Sequence, residues 1–564
     1  MGAKIAWAKV TIGLSSSLLV VASLGVHAAP PVVPGAGTIL QEAEPVPPPS
    51  PSSNSTGLFI QSNQGPEVPQ SAPFEVKKIH ISGNTVFDEP TLHALVAGSE
   101  GKDLTLPQLH EVTARISDYY HSHGYPLTRA IVPAQTIRDG MVSITVIEAR
   151  YDTISIENHS SVRDSLVRAT LSPLQSGQLI TQTSLDHALL LLSDIPGVLT
   201  SATLKPGGSV GTSNLLVDTA KGPWVTGTAA LDNYGNRYTG DARLGGTVNL
   251  IDPLHQADVL SANALTAGSG MSYGRLGYEA LLNGLGTRAG AAYSALHYTL
   301  GDSLEALDGH GTARVGSLWV KQPLVRTTNV NLYGQVQFDH KELHDDLNAS
   351  EIHTDRHLNE WTASLAGDFR DRLFGGGVNS WNVAGTAGQL GFDDAGAQSA
   401  DAATARTRGR FSRWSASLDR VQSLGPRGAL YVAISAQWAS ANLDASEKLV
   451  AGGPYGVRAY GTGALSGDSG YVGTVEYRRD LGAAAAGRWQ AIAFVDSEHL
   501  TVNRNTWTPE INTARLSGAG VGLNFTAGAR WYATIDLAAP FGSTPALVGA
   551  TKSAQLWSQI GLNF

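Results

Sequence analysis

The 564-residue chain contains no cysteine. That absence excludes thiol nucleophiles, disulfides and thiolate metal sites, and it suits an exported chain that must stay unlinked until it folds. Charge is sparse as well: Asp, Glu, Lys and Arg make up 15% of residues, the formal net charge is −9, and there is no long basic run. Electrostatics therefore give no support for nucleic-acid binding. No stretch after the amino terminus is apolar for long enough to form a membrane-spanning helix, so a membrane role requires a β-barrel.

What is present begins with a targeting pattern. Lys4 and Lys9 form a basic region, Ser15–Leu24 an apolar core, and Val26-His27-Ala28 a small-residue cleavage site. Residues 1–28 thus read as a signal peptide. Residues 29–73 are a Pro- and Ser-rich linker, interrupted by AGTILQEAE at 36–44, which has the composition of two helical turns.

From Phe74 the texture becomes compact α/β. FEVKKIHISG closes as a strand at Gly83-Asn84, and Asp88 is placed to cap a short helix through Leu95. A longer helix over Leu106–His121 has Leu109, Val112, Ile116 and Tyr120 on one face, and strands follow at Leu127–Val132 and Met141–Glu148. The same β-α-α-β-β order recurs in Tyr151–Glu157, Ser161–Leu171 (with a serine at its start), Thr183–Leu192, Val198–Leu204 and Ser213–Asp218. Two small α+β modules, 74–149 and 150–222, are expected. Ser184, Asp186 and His187 lie together in sequence but point in different directions on a helix, so no catalytic role is assigned to them.

After Trp224 the helical signal ends. Segments of roughly ten residues alternate between apolar and polar, separated by Gly-rich turns, the pattern of a membrane barrel. In Asn329–Asp339, Val330, Leu332, Gly334, Val336 and Phe338 face one way and the polar residues the other. The fold class is therefore a membrane β-barrel of about sixteen antiparallel strands over 223–564, preceded by the two modules. Leu562 and the terminal Phe564 share an apolar face on the last strand, as closure against the first strand requires. Topology puts the modules in the periplasm and the long loops outside.

Three motifs raise the question of chemistry. GDSG at Gly467–Gly470 lacks the further glycine of serine proteases, and reads as a turn before a strand starting at Gly470. His340-Lys-Glu-Leu-His344 has Lys341 where a zinc protease needs glutamate, and reads as a solvated loop after strand 329–339. Neither supports catalysis, so no catalytic residue, metal ligand or cofactor is expected. The third is AGGPYGVRAYGTGALSGDSGY, in a connection spanning about 442–469 that is the longest of the barrel.

This last stretch, with IHISGNTVF (Ile79–Phe87), YYHSHGY (Tyr119–Tyr125), and Asp232-Asn233 with Thr239-Gly240, resembles the TpsB transporters of two-partner secretion. These are the FhaC, ShlB and HecB-type haemolysin secretion/activation proteins. The resemblance implies that the modules are POTRA domains. It also implies that the long loop folds into the barrel, with Val457, Arg458, Ala459 and Tyr460 standing for the VRGY motif. Phe494 and Asp496 match the first part of an F-x-D-x-G motif on a later strand, and strand parity points both of them inward. Ala459 and Glu498 replace motif glycines. The resemblance further implies an Arg458–Asp496 pair and a plug role for 36–44. Its expected partners are a secreted TpsA-type protein, outer-membrane lipid and the barrel-assembly machinery. An outer-membrane assembly insertase of the same superfamily is the alternative, and a porin or a secreted hydrolase fits less well.

Overall fold

The structure of the protein is a computed structural model, and it describes residues 33–44, 52–61, 69–484, 486–543, 545–549 and 551–564. The segment read as a signal peptide, 1–28, lies outside the described residues.

Helix α1 (Ala36–Ala43) and strand β1 (Leu58–Ile60) come first. The first module contains β2 (Phe74–Val76), β3 (Lys78–Ser82), α2 (Glu89–Val96), β4 (Lys102–Leu104), α3 (Leu106–Ser122), β5 (Arg129–Ile131) and β6 (Met141–Ile147). Local chemistry sets the helix starts. Asp88 accepts from the Thr91 amide at 3.2 Å, and Thr105 with Gln108 forms a capping box. Leu109, Val112, Ile116 and Tyr120 of α3 are buried against Ile79, Ile81, Val142 and Ile144 of the sheet.

The carboxylate of Glu148, directly after β6, organises the GNTVF turn. It accepts from the amides of Thr85 (2.7 Å) and Val86 (2.9 Å), from the Thr85 hydroxyl, and from the Tyr120 hydroxyl at 2.9 Å. Burial pushes this carboxyl up, but the Thr85, Val86 and Tyr120 hydrogen bonds outweigh it and hold it below the usual carboxylate range. Because the folded value is the depressed one, its stabilisation is full above the ordinary carboxylate pKa, about 4.3. It is lost as pH falls through the folded value. Glu148→Ala should destabilise this module by about 2–3 kcal/mol at neutral pH. Amide exchange over 74–149 in the full chain should show that deficit shrinking towards pH 3; a deficit that stays constant with pH would contradict this role.

The second module contains β7 (Arg150–Asn158), α4 (Asp164–Leu171), α5 (Gln182–Ser193), β8 (Val198–Pro206) and β9 (Thr212–Lys221). The expected serine start of α4 does not occur: the helix begins at Asp164 without a side-chain cap. The Asn158 side chain instead ties down the preceding turn, through the Ser160 amide at 3.1 Å and the Val162 carbonyl at 2.9 Å. The linker adds a strand to this module. β1 pairs in parallel with β8, giving the sheet order β1-β8-β9-β7.

Sixteen strands close the barrel. They are β10 (Val225–Asp232), β11 (Arg243–Ile251), β12 (Val259–Thr266), β13 (Met271–Leu281), β14 (Arg288–Thr299), β15 (Gly309–Arg326), β16 (Val330–Leu347), β17 (Ile352–Asp371), β18 (Gly377–Phe392), β19 (Gly409–Ser423), β20 (Gly428–Ala439), β23 (Ser469–Ala484), β24 (Gly487–Thr501), β25 (Thr513–Ala527), β26 (Trp531–Pro540) and β27 (Gln555–Asn563). The short strands β21 (Leu449–Ala451) and β22 (Leu465–Gly467) form a separate hairpin inside the long loop. β27 closes on β10 with Thr228 opposite Asn563 and Asp232 opposite Gln559. The Phe564 main chain exchanges hydrogen bonds with Gly227 beyond the last pair. Leu556, Ile560 and Phe564 are about half exposed on the outer wall.

Two expectations are corrected here. Strands β15, β16 and β17 run for 18, 18 and 20 residues, about twice the length a bilayer needs. HKELH is therefore not a loop but the upper part of β16. His340 and His344 continue the outward row of Val336 and Phe338, while Lys341 turns into the lumen between Glu360 and Glu447. The chain beyond Trp224 is also not free of helix: α6 (Ala395–Ala403) follows β18, capped by Asp394 through the amides of Gly396 and Ala397.

An ion pair fixes the second module to the barrel rim. Arg326, at the end of β15, is fully buried and reaches Asp194, which follows α5, at 2.7 and 2.8 Å.

Candidate functional site

The long loop leaves β20, turns through Asp444–Glu447 and enters the barrel as the hairpin β21/β22. Its tip bends at Gly452, Gly453 and Gly463, whose φ values of +77°, +81° and +69° suit glycine and few other residues. The tip carries Arg458, which is 5% exposed, into a ring of carboxylates on the inner wall. Its Nε and Nη2 donate to the two Asp496 oxygens at 2.9 and 2.8 Å, and its own amide donates to Asp496 at 3.2 Å. Nη1 donates to Glu476 at 2.7 Å, and Asp536 lies at 3.8 Å. The guanidinium carbon sits 3.4 Å from the Phe494 ring centroid. Trp557 donates from Nε1 to the Arg458 carbonyl at 2.7 Å. A planar fork bound to a carboxylate on one edge and an aromatic ring on its face is held in orientation as well as in place.

The structure thus brings together Val457, Arg458, Ala459, Tyr460, Phe494 and Asp496, all buried. Leu562 and Phe564 lie elsewhere, in the closing seam. The two departures from the motif glycines have local answers. The Ala459 methyl is received by Gly518 on β25, where a Cβ would overlap it. Glu498, 1% exposed, accepts from the Gly452 amide at 3.3 Å and so touches the start of the loop tip.

Sequence reasoning missed Glu476 and Asp536 as further partners of Arg458. The signal for Glu476 was available, since it shares the inward row of β23 with Thr474 and Arg478. GDSG contributes no chemistry. β23 begins at Ser469, one residue earlier than expected, and the Ser469 hydroxyl accepts from the Ala439 amide at 3.0 Å. Asp468 is fully buried, accepting from the amides of Leu443 (3.1 Å) and Arg504 (2.7 Å) and pairing with Lys448 at 3.0 Å.

The second occupant of the lumen is α1. Its apolar face, Ile39 and Leu40, rests on an inner-wall patch that includes Tyr273, Leu296, Tyr298, Leu343 and Leu358. At its start the Ala36 amide donates to Asp345 at 2.6 Å, and Arg356 joins Asp345 (2.7 Å) to Asp444 of the loop (2.6 Å). At its end Asn236 donates to Glu42 at 3.0 Å, Arg243 donates to the Glu42 carbonyl at 3.1 Å, and Arg275 pairs with Glu44 at 3.3 Å. Gly37 lies directly on the loop backbone: a Cβ there would stand 2.5 Å from the Ser446 nitrogen. Helix and loop therefore interlock, and the ties between them and the wall are contacts, hydrogen bonds and ion pairs that can be exchanged. Among the described residues no group of three or more His, Asp or Glu is arranged to hold a metal ion.

Comparison with known proteins agrees with this architecture. Residues 74–149 match the family model of the ShlB-type POTRA domain, and residues 211–525 match that of the haemolysin secretion/activation proteins ShlB/FhaC/HecB. The heme/hemopexin transporter protein HuxB of Haemophilus influenzae is 25% identical over 519 residues, covering 90% of this chain and 91% of its own. The outer membrane transporter CdiB of Escherichia coli O6:K15:H31 is 26% identical over 475 residues, 81% of this chain and 77% of its own. The solved structure of CdiB from Escherichia coli superposes with a TM-score of 0.67 at 21% identity, covering 89% of this chain and 93% of that one.

Proposed function

The chain belongs to the haemolysin secretion/activation family of ShlB, FhaC and HecB, outer-membrane transporters rather than enzymes, and from that premise we propose that it moves an unfolded exported partner protein through its barrel to the cell surface or medium. The observation that carries this reading is the way the pore is filled. A sixteen-strand barrel encloses a lumen wide enough for an unfolded chain. Two segments of the same polypeptide close it, α1 and the Arg458 loop, held by hydrogen bonds and ion pairs. Exchange of those ties opens a path without covalent chemistry. With no nucleotide site in the sequence, binding and folding of the partner outside would drive its exit.

Recognition falls to the POTRA modules by strand addition. The β8 edge is the receiving surface, and β1 occupies it at rest with Leu58, Phe59 and Ile60 opposite Ala202, Thr203 and Leu204. Three residues, with Phe59 66% exposed, make a strand that a longer partner segment can displace. Gln61→Pro removes the amide that donates to the Leu204 carbonyl at 3.0 Å. It should raise partner affinity a few-fold. Ala202→Pro removes the β8 amide that donates to the Gly57 carbonyl at 3.0 Å, and should lower affinity about tenfold. Titration of the partner's amino-terminal secretion segment against the full chain reads both; equal affinities in the two variants would exclude the β8 edge.

Deletion of the gene should strand a large exported partner, encoded next to it, in the periplasm. Unchanged surface and medium levels of that partner would overturn the transport reading. Loss of assembled barrels of other kinds would instead favour the insertase.

A further inference from the structure

Ser52, six residues before β1, lies at the periplasmic mouth of the barrel and is held there in an unusual way. The Ser52 amide donates to Asp368 Oδ1 at 3.0 Å, and the Ser52 carbonyl accepts from Arg370 Nη2 at 2.8 Å. Both groups lie on β17, two positions apart, and Arg370 Nη1 also reaches Asp368 Oδ2 at 3.3 Å. Together the two side chains read one N–H and one C=O of the same residue. Every residue except proline offers both groups, so this contact is blind to sequence. The Ser52 side chain adds a hydroxyl-to-hydroxyl contact with Tyr333 at 3.2 Å.

The pair is held in place. Asp368 is 3% exposed, and its second oxygen accepts from Asn331 Nδ2 at 3.0 Å. Asn331 in turn accepts from Arg326 at 2.9 Å, and Arg326 is the residue clamped to Asp194 of the second POTRA module. A chain of hydrogen bonds thus runs from the module that would receive the partner to the groups that grip a main chain at the pore entrance. Beside them opens a cavity of about 380 Å³ whose lining includes Ala366, Tyr333, Lys321 and Glu279.

We infer that Asp368 and Arg370 form a main-chain clamp for the polypeptide in transit, with Ser52 of the linker as its resting occupant. The inference rests on the transport reading and adds to it the step at which the partner, released from the β8 edge, is threaded into the barrel. A sequence-independent grip suits a site that every residue of a long passenger must pass. Two hydrogen bonds per residue are weak enough to be exchanged for those of the next residue.

The absence of cysteine allows a direct test on the full chain. One reporter thiol is placed in the cavity (Ala366→Cys) and, separately, one on β8 (Leu199→Cys). The partner carries a single cysteine in its unfolded segment and a folded passenger domain that cannot enter the barrel. The stalled partner should be captured at both reporters. Arg370→Met should lower capture at the cavity reporter about tenfold, the loss expected for a charge-assisted hydrogen bond. It should leave capture at the β8 reporter unchanged, and Arg370→Lys should recover part of the loss. A run of prolines in the stalled segment, which has no N–H to offer Asp368, should lower capture at the cavity reporter in the same way. Unchanged cavity capture in Arg370→Met, with normal capture on β8, would overturn the clamp and leave the transport reading standing. No capture at either reporter would overturn both.

Discussion

Arg458→Ala is expected to leave a folded, membrane-inserted barrel that secretes its partner at least tenfold more slowly. The substitution removes the guanidinium shared by Asp496, Glu476 and Asp536. Arg478 still pairs with Glu476 at 2.7 Å, so the deficit falls mainly on Asp496. Deleting one member of a buried ion pair costs about 3–5 kcal/mol, because the remaining charge stays buried without compensation. The barrel itself rests on ladders that continue around the whole wall, so the loss is felt by the loop. Its tip should leave the carboxylate ring, become accessible to added protease, and no longer present Val457 and Tyr460 to the wall. Heat-modifiable migration in gels checks that the barrel is intact, and partner export checks the function. Normal export in a folded variant would remove the loop from the mechanism.

Charge reversal isolates the pair. Arg458→Asp and Asp496→Arg each place like charges together, while the double variant restores one opposite pair at the same position. The rescue should be partial, because Glu476 and Asp536 would then face a carboxylate on the loop. A double variant no better than either single one would deny direct pairing.

Gly37→Val should have the largest effect on the resting state. Even a Cβ at this position would press on the Ser446 backbone at 2.5 Å, and the two methyls of valine cannot be relieved by a rotamer change. Helix α1 can then seat only if the Asp444–Glu447 turn moves, which strains the Arg356 bridge between Asp345 and Asp444. The purified protein in planar bilayers should pass from small, rare openings to a sustained conductance many times higher. Cells should become sensitive to large antibiotics that the outer membrane normally excludes. Gln41→Ala, which removes a single hydrogen bond to the Ser446 carbonyl, should have a much smaller effect. Equal conductance in Gly37→Val and the unaltered protein would show that α1 does not close the pore.

Much of this was legible in the sequence because alternation in a membrane barrel has one cause. Lipid on one side and water on the other sort residues by parity, and the row Val330, Val336 and Phe338 needs no tertiary information to be assigned. The inward direction of Asp496 follows from the same rule. What parity cannot supply is length or company. β15 to β17 continue beyond the lipid, where the outward row becomes polar (His340, Glu342, His344), so His340–His344 lost the apolar-outward alternation that marks a membrane strand. The wall patch under α1 was hidden for the opposite reason. Leu343 and Leu358 are apolar residues facing inward, which the two-sided rule does not anticipate. β1 is three residues long and owes its conformation to the β8 edge rather than to its own sequence. The contacts of Ser52 likewise join positions 316 and 318 residues apart, a separation that no local pattern encodes.

The fit between Ala459 and Gly518 also bears on how this chain can change. With a methyl at 459, any side chain at 518 collides with it, so position 518 has lost its freedom to vary. Any substitution at Gly518 should therefore push the loop tip off β25 while alanine stands at 459. The loop tip and β25, where Gly518 stands directly opposite Asp496, are therefore coupled, and a substitution at either 459 or 518 is judged by a partner residue about sixty positions away.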